Sequence, residues 1–349
     1  MAGISQKTLA ERLGLSQATV SRALRNDHNI HEETRRKVWE TAEALGYRPS
    51  VALASFASKA HWTAREMRDC PVAVIYQASL APGKRLNSVA TVAIESELQR
   101  RGFRPVRVNL HGEKEIGRVA ERLYHQGVQG VVISAIREDP GWFHEFDFSR
   151  FAVVSAGMRY EDEPVASFFF QHRRQIEATY YRIWERGYRR IGAALWGPGS
   201  HPGHNSRVAG FLAAQAGKMG RASMRDFFIL DAKIPGQKLG AKLADWAARR
   251  RLDAMIVPNA NYMGLLEGHG YGTDRIGFAR ALGATSEAEV EQERLAGFVN
   301  NHQLLARLLV QWLEQLIRLR RYGLEESPML VSIPGRWKDA ASLPQRIVS

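Results

Sequence analysis

One cysteine, Cys70, stands in a chain of 349 residues. No internal disulfide can form, so packing must hold the fold, and a reducing compartment is expected. No apolar run reaches the roughly 18 residues that a membrane-crossing helix needs. The opening Met-Ala-Gly-Ile-Ser-Gln-Lys has no apolar signal segment. A soluble, cytoplasmic protein without a membrane partner is the expectation. Catalytic furniture is also scarce. Gly268-His-Gly-Tyr-Gly272 lacks the spacing of a dinucleotide fingerprint and the lysine of a phosphate-binding loop. His201 and His204 lie in a Gly/Pro loop with no third ligand at metal spacing. Cys70 has no activating neighbour in the sequence. Neither an enzyme, nor a metal, nor a cofactor is expected. Internal repeats and low-complexity tracts are missing too.

Positive charge is abundant. The formal net charge is +13 and the isoelectric point about 10.1, which suits a polyanionic partner. Residues 1–65 hold ten Lys or Arg against six Asp or Glu, a surplus of +4. The remaining +9 lies beyond them, as a generally basic surface or as a bias of a ligand site toward anions. The length allows two or three domains.

The most informative stretch is at the N-terminus. Lys7-Thr-Leu-Ala-Glu-Arg-Leu-Gly14 and Leu15-Ser-Gln-Ala-Thr-Val-Ser-Arg-Ala-Leu24 read as two short helices meeting at Gly14. Leu9, Ala10 and Leu13 line one face; Val20, Ala23 and Leu24 line the next. Gly14 supplies the backbone freedom of a sharp turn, and Ser16 is a candidate N-cap. Gln17, Thr19, Ser21, Arg22 and Arg25 form a polar face able to donate to phosphates and base edges. Glu32 to Leu45 adds a third amphipathic helix with Val38, Ala42 and Leu45 inward. Gly46-Tyr-Arg-Pro-Ser50 and Val51-Ala-Leu-Ala-Ser-Phe-Ala-Ser-Lys59 follow. Residues 4–59 thus resemble the DNA-binding headpiece of the lactose-repressor family, with its Thr-Val-Ser-Arg at 19–22 and Tyr-x-Pro at 47–49.

Residues 60–70 read as a connector. Beyond them, short continuous apolar runs alternate with helical stretches, the pattern of parallel sheets covered on both faces. Strands are expected at 72–77, 105–109, 130–134, 151–155, 166–170, 190–195, 226–230, 253–257, 275–279 and 296–299. Helices are expected at about 87–101, 114–126, 172–187, 206–219, 238–250 and 302–321. Ten strands suit two doubly wound lobes better than one sheet. The resemblance implies the same α/β architecture: a three-helix headpiece (1–49), a hinge helix (50–59), the connector (60–70) and a two-lobed, periplasmic-binding-protein-like core (71–341). Lobe one would be about 70–158 plus 294–322, lobe two about 159–293 plus 323–341. Arg186-Gly-Tyr-Arg-Arg-Ile-Gly192, Ser206-Arg-Val-Ala-Gly-Phe211 and Ile333-Pro-Gly-Arg-Trp337 match family landmarks.

The resemblance also implies roles. Gln17, Ala18 and Arg22 should face base edges; Arg22 could grip a guanine with its planar fork. Ser16, Thr19, Ser21, Arg25 and Asn29 should meet phosphates. Phe56 holds the place of the family's minor-groove wedge, and Leu53, one turn earlier, is a second candidate. Tyr76, Gln77, Arg137, Phe170, Gln171, Trp196, Arg207, Asn259 and Arg280 fall near strand ends, where open α/β sheets bind ligands. Arg207 aligns with the family's ligand-gripping arginine. Phe170, Ala260 and Ala279 stand where the family often has aspartates, so a less acidic site, suited to a sugar acid or a phosphorylated or sulfated sugar, is expected. The alternative for these arginines is solvent, or glutamates on neighbouring helices.

Together these readings predict a homodimeric transcription regulator on near-palindromic double-stranded operator DNA, controlled by a small, carbohydrate-derived effector. One rival is a headpiece fused to a nucleotide- or sugar-processing enzyme; another is an architectural or recombinase protein. No heptad segment follows residue 341 to favour a tetramer.

Overall fold

Helical periodicity is realised first at the N-terminus, where α1 (Gln6–Leu13), α2 (Gln17–Leu24) and α3 (Glu32–Ala44) enclose a small core of Leu9, Ala10, Val20, Ala23, Val38 and Ala42. The computed structural model describes residues 6–24, 30–45, 69–78, 88–136, 141–157, 163–198, 202–231 and 233–346. Arg25, Asn29, Leu53, Phe56, Arg137 and His201 lie outside these residues. The chain divides into two units, Met1–Thr63 and Ala64–Ser349.

The second unit is built on two parallel sheets. The first contains β1 (Cys70–Gln77), β2 (Phe103–Asn109), β3 (Gly130–Ile136), β4 (Ala152–Ala156), β5 (Ala166–Phe170) and β11 (Leu330–Ile333), in the order β11-β5-β4-β3-β1-β2. The second contains β6 (Ile191–Leu195), β7 (Phe227–Ile229), β8 (Ala254–Val257) and β9 (Gly277–Arg280), in the order β7-β6-β8-β9. All strand pairs in both sheets are parallel. Each order reverses beside the sheet's first strand, between β1 and β3 and between β6 and β8. Open α/β sheets hold their ligands beyond the strand ends at such switch points.

Helices cover both faces because the strands are apolar on both. On the first sheet, α4 (Val89–Arg100) and α12 (His302–Arg318) pack together; Ile94, Leu98, Leu305, Leu309 and Leu313 are buried between helices and strands. Gly130 opens β3 under α12: a Cβ there would lie 3.0 Å from Ile317 Cδ1 and 3.1 Å from Leu313 Cδ1. α5 (Ile116–His125) and the short α6 (Trp142–Glu145) cover the other face with Val119, Leu123, Trp142, Phe143, Phe146 and Phe148. On the second sheet, α7 (His172–Glu185) and α8 (Pro202–Met219) share one core with Ala193, Ile256 and Ala279. α9 (Gly236–Arg250) and α10 (Ala260–Glu267) share the opposite core with Ala194, Met255 and Phe278.

All ten expected strands form, but two fall on the other side of the expected lobe boundary. β5, expected in lobe two, pairs with β4 in the first sheet. β10 (Gly297–Val299), expected in lobe one, joins the second sheet through a bridge between Ala279 and Ala296 and pairs antiparallel with β12 (Arg336–Lys338). Strand β11, absent from the expected set, closes the first sheet beside β5. The chain therefore crosses between sheets near residues 171, 300 and 334. Apolar runs mark strands, but which neighbour a strand takes is a tertiary choice that the run does not encode. Three helices of the core were not foreseen: the short α6, α10 and α11 (Glu287–Glu293). Among the described residues no helix is long and apolar enough to cross a membrane.

The crossings are stitched by polar side chains. The Gln175 amide, 4 % exposed, donates to Asn300 Oδ1 over 2.8 Å. Gln171 donates through Nε2 to Ser332 Oγ, 3.0 Å away, and through its backbone N–H to the Ile333 carbonyl, 3.3 Å away. Gly335 leaves the room: a Cβ there would come within 2.7 Å of Gln175 Nε2.

Candidate functional site

The headpiece presents α2 as expected. Gly14 turns the chain at φ +64°. Ser16 caps α2: the Thr19 amide donates to Ser16 Oγ over 3.0 Å, and the two hydroxyls share a hydrogen bond of 2.8 Å. With Val20 and Ala23 inward, Ser16, Gln17, Ala18 and Arg22 are exposed, and Thr19 and Ser21 half-buried. That exposed face has the donors and the small residue that base edges and phosphates require.

In the core, strand ends place the candidates in three different situations. The first is a set around Arg207. This guanidinium, on the second turn of α8, is 8 % exposed. Its Nη1 donates to the Gly203 carbonyl over 3.1 Å and its Nη2 lies 3.1 Å from His172 Nδ1. Arginine can only donate, so that contact requires His172 to accept through Nδ1. Arg207 Nε has no partner, and no carboxylate pairs with this cation among the described residues. Burial lowers its pKa to about 10, which leaves it charged at neutral pH. Just past β6, Trp196 stacks on His204 with ring centres 5.5 Å apart and meets Tyr262 edge-on at 6.2 Å. His204 lies about one turn before Arg207, so the aromatic group and the buried cation share the start of α8.

The second situation is the end of the first sheet. Phe170 packs edge-on against His302 at 4.9 Å. Burial holds His302 below its ordinary pKa, although Glu289 pulls the other way, and its Nδ1 is buried without a partner. Gln77 Oε1 at the end of β1 is likewise buried and unanswered. Unanswered buried polar atoms are costly in an isolated protein and are expected where a ligand supplies the partner.

In the third situation the candidate side chains meet partners within the chain. Arg280 does not offer its charge to a ligand: Nη1 donates to Glu289 Oε1 over 2.6 Å and Nη2 to Glu293 Oε2 over 2.5 Å. Burial pushes Glu289 up, but hydrogen bonds from Thr285 and Arg280 outweigh it and hold the carboxyl below its ordinary pKa. Tyr76 turns to the α4 side, lining a cavity of about 420 Å³ with Glu95, Gln99, Pro105 and Arg107. Alternation along β1 sends Tyr76 to one face and Gln77 to the other. Gln171 is spent on the crossing to Ser332. Asn259 caps α10, its Oδ1 accepting from the Asn261 amide at 3.1 Å. Ala279 is core rather than a site position. His172, Tyr262 and His302 were missed. Each lies two to five residues past the end of a strand, and that placement was the available signal. Among the described residues no group of three or more His, Cys, Asp or Glu could hold a metal ion.

Comparison with known proteins agrees with this arrangement. Residues 7–50 match the model of the family described as bacterial regulatory proteins, lacI family. The HTH-type transcriptional regulator AglR of Rhizobium meliloti is 38 % identical over 95 residues, 27 % of this chain and 26 % of AglR. Catabolite control protein A of Priestia megaterium is 37 % identical over 84 residues, 24 % of each chain. The match thus spans about a quarter of the length of these curated relatives. Over nearly the whole chain the fold is that of two solved proteins. One is a transcriptional regulator CelR–cellobiose complex, with TM-score 0.64, 18 % identity and coverage of 97 % of this chain and 99 % of that one. The other is the lac repressor dimer bound to operator and the anti-inducer ONPF, with TM-score 0.60, 17 % identity and coverage of 98 % and 100 %. The N-terminal helix-turn-helix is thus similar to that of the lacI family of bacterial regulatory proteins, and the two-sheet core has the fold of these solved regulators.

Proposed function

We propose that the chain is a transcription regulator, not an enzyme, that binds operator DNA as a homodimer and whose affinity for DNA is set by a small effector held at the strand ends of the core. Gln17, Ala18 and Arg22 read bases; Ser16, Thr19, Ser21, Arg25 and Asn29 hold phosphates; Leu53 or Phe56 supplies the minor-groove wedge. Arg207 anchors the effector, with Trp196 and Tyr262 as its apolar wall and His172, His302, Phe170 and Gln77 around it. The observation that carries this reading is Arg207 itself: a buried guanidinium without a carboxylate, in a chain that opens on a helix-turn-helix. A cation kept in that state favours a ligand that brings its own negative charge or several acceptor oxygens. The cellobiose in a solved structure of this fold supports a carbohydrate scaffold, and the cationic anchor points to an acidic one.

The test is thermal unfolding of the full chain with matched neutral and acidic mono- and disaccharides, followed by gel shift on a duplex selected from random sequences. Acidic sugars are expected to raise the unfolding temperature more than their neutral partners and to change the affinity for the selected duplex. Stabilisation by neutral sugars alone would remove the acidic effector; no response of DNA affinity to any stabilising sugar would remove the regulator.

A further inference from the structure

The positive charge of the chain is concentrated in one place. Residues 172–251 hold sixteen Lys or Arg against five Asp or Glu, a surplus of +11 within a chain total of +13. The four strands of the second sheet are parallel, so the helix-to-strand connections that precede them all emerge at one edge. Arg190 stands one residue before β6, Arg225 two before β7 and Arg251 three before β8; Arg221 lies on the same connection as Arg225. All four are exposed, and none forms an ion pair among the described residues. At the opposite, ligand-facing edge the connections 196–201, 230–235, 258–259 and 281–286 contain one Asp, one Lys and no Arg or Glu. The asymmetry follows strand direction, not composition.

The basic edge is also held in shape. Asp226 and Asp253, 9 % and 6 % exposed, lie beneath it. Asp226 accepts Arg250 at 2.6 Å and Gln215 at 2.8 Å; Asp253 accepts the backbone N–H groups of Arg189 and Arg190 at 3.1 and 2.8 Å, and Arg346 at 3.2 Å. These anchors fix the connections that carry the four unpaired guanidiniums. The nearby rings are covered: Arg189 lies 4.5 Å over Trp184, Arg275 lies 4.8 Å over Tyr271 and Arg346 lies 5.1 Å over Tyr188. Single-stranded nucleic acids require open rings to stack on, and protein partners require apolar anchors at the interface centre. An ordered array of guanidiniums with no open ring and one exposed apolar side chain, Met224, suits the phosphates of a duplex.

We propose that the strand-start edge of the second sheet is a second, sequence-independent surface for duplex DNA, contacted through Arg190, Arg221, Arg225 and Arg251. It is separate from the headpiece and requires no part of the effector reading; only the name second rests on the headpiece binding DNA.

The experiment is a salt titration of the full chain binding a random-sequence duplex, with four forms of the protein: wild type, a variant carrying Arg→Gln at all four positions, one carrying Arg→Lys at the same four, and Arg22→Ala with Gln17→Ala in the headpiece. Each phosphate neutralised contributes roughly 0.9 to the slope of log affinity against log salt. The four-Gln variant is expected to lose about 3.6 units of slope, the four-Lys variant to keep most of it, and all forms to unfold at similar temperatures. An unchanged slope in the four-Gln variant would overturn the proposal, as would equal losses in the Gln and Lys variants, which would make the effect structural. Displacement of the duplex from wild type by polyglutamate, lost in the four-Gln variant and as effective as displacement by a second duplex, would reassign the surface to acidic proteins. Failure of the headpiece reading shows separately, on a duplex selected from random sequences, as a headpiece variant that binds the selected duplex as tightly as wild type does.

Discussion

Two buried arginines at the second sheet look alike in the sequence and are opposites in the structure. Arg207 and Arg280 are 8 % and 4 % exposed; Arg207 lies on the second turn of α8 and Arg280 ends β9. Arg280 is answered by Glu289 and Glu293. Arg207 is answered only by a carbonyl and an imidazole, while Nε lacks a hydrogen bond in both arginines. Burial of a cation is therefore not the mark of a ligand site; the missing counter-charge is. Arg280 ties β9 to α11 and belongs to stability. Arg207 is buried without a counter-charge, which is why we propose it as the effector anchor.

Exchanging the two arginines for methionine, one at a time, breaks the comparison most sharply. Arg207→Met should lose about 2–5 kcal/mol of effector affinity, the usual effect of removing one member of a buried charge pair. The free protein should become no less stable, because an uncompensated buried charge is gone. Calorimetry with the stabilising sugar and urea unfolding give the two numbers. Arg280→Met should do the reverse. Its glutamates are about a third exposed and recover some hydration, so the loss of stability should be about 2–3 kcal/mol, below the full cost of breaking a wholly buried pair. Effector affinity should hold. A loss of effector affinity in Arg280→Met as large as in Arg207→Met, with the fold intact, would dissolve the distinction.

The headpiece offers smaller effects. Arg22→Ala should cost about 1–3 kcal/mol at one base pair of each half-site and little on unrelated DNA, as read by binding to duplexes substituted position by position. Ser16→Ala should cost about 1 kcal/mol of stability through the lost cap of α2. The smallest expected effect is a pH dependence at His302. Its folded pKa lies below the unfolded value of about 6.5. Above that value both states are neutral and the histidine is silent. As pH falls from there toward the folded pKa, the unfolded state takes up the proton first, so stability declines. His302→Gln should flatten the decline; an unchanged pH profile would place the titration elsewhere.

The helix-turn-helix was legible because its information is local: a turn glycine with positive φ, a capping serine three residues before its target, and apolar spacings of three and four. The ten strands were legible as apolar runs. The lobe boundary was not, because β5 reads identically whether it closes the first sheet or opens the second. The roles of Arg207 and Arg280 were not separable either, yet a local trace exists. Ser286 caps α11 three residues before Glu289, and Glu293 follows one turn later. That spacing puts both carboxylates on one helical face, which the chain folds back on Arg280. Tyr76 and Gln77 show the remaining difficulty. Alternation says that they point to opposite faces, but not which face the ligand uses.

The central claim is that an effector seated on Arg207 controls DNA binding. The most direct measurement is the affinity of the full chain for its selected duplex, with and without the stabilising acidic sugar, in wild type and Arg207→Met. The expected result is a clear shift of affinity with sugar in wild type, none in Arg207→Met, and equal affinities for the two proteins without sugar. A sugar response that survives in Arg207→Met, or a DNA affinity that falls in the mutant without sugar while its fold is intact, would contradict the account.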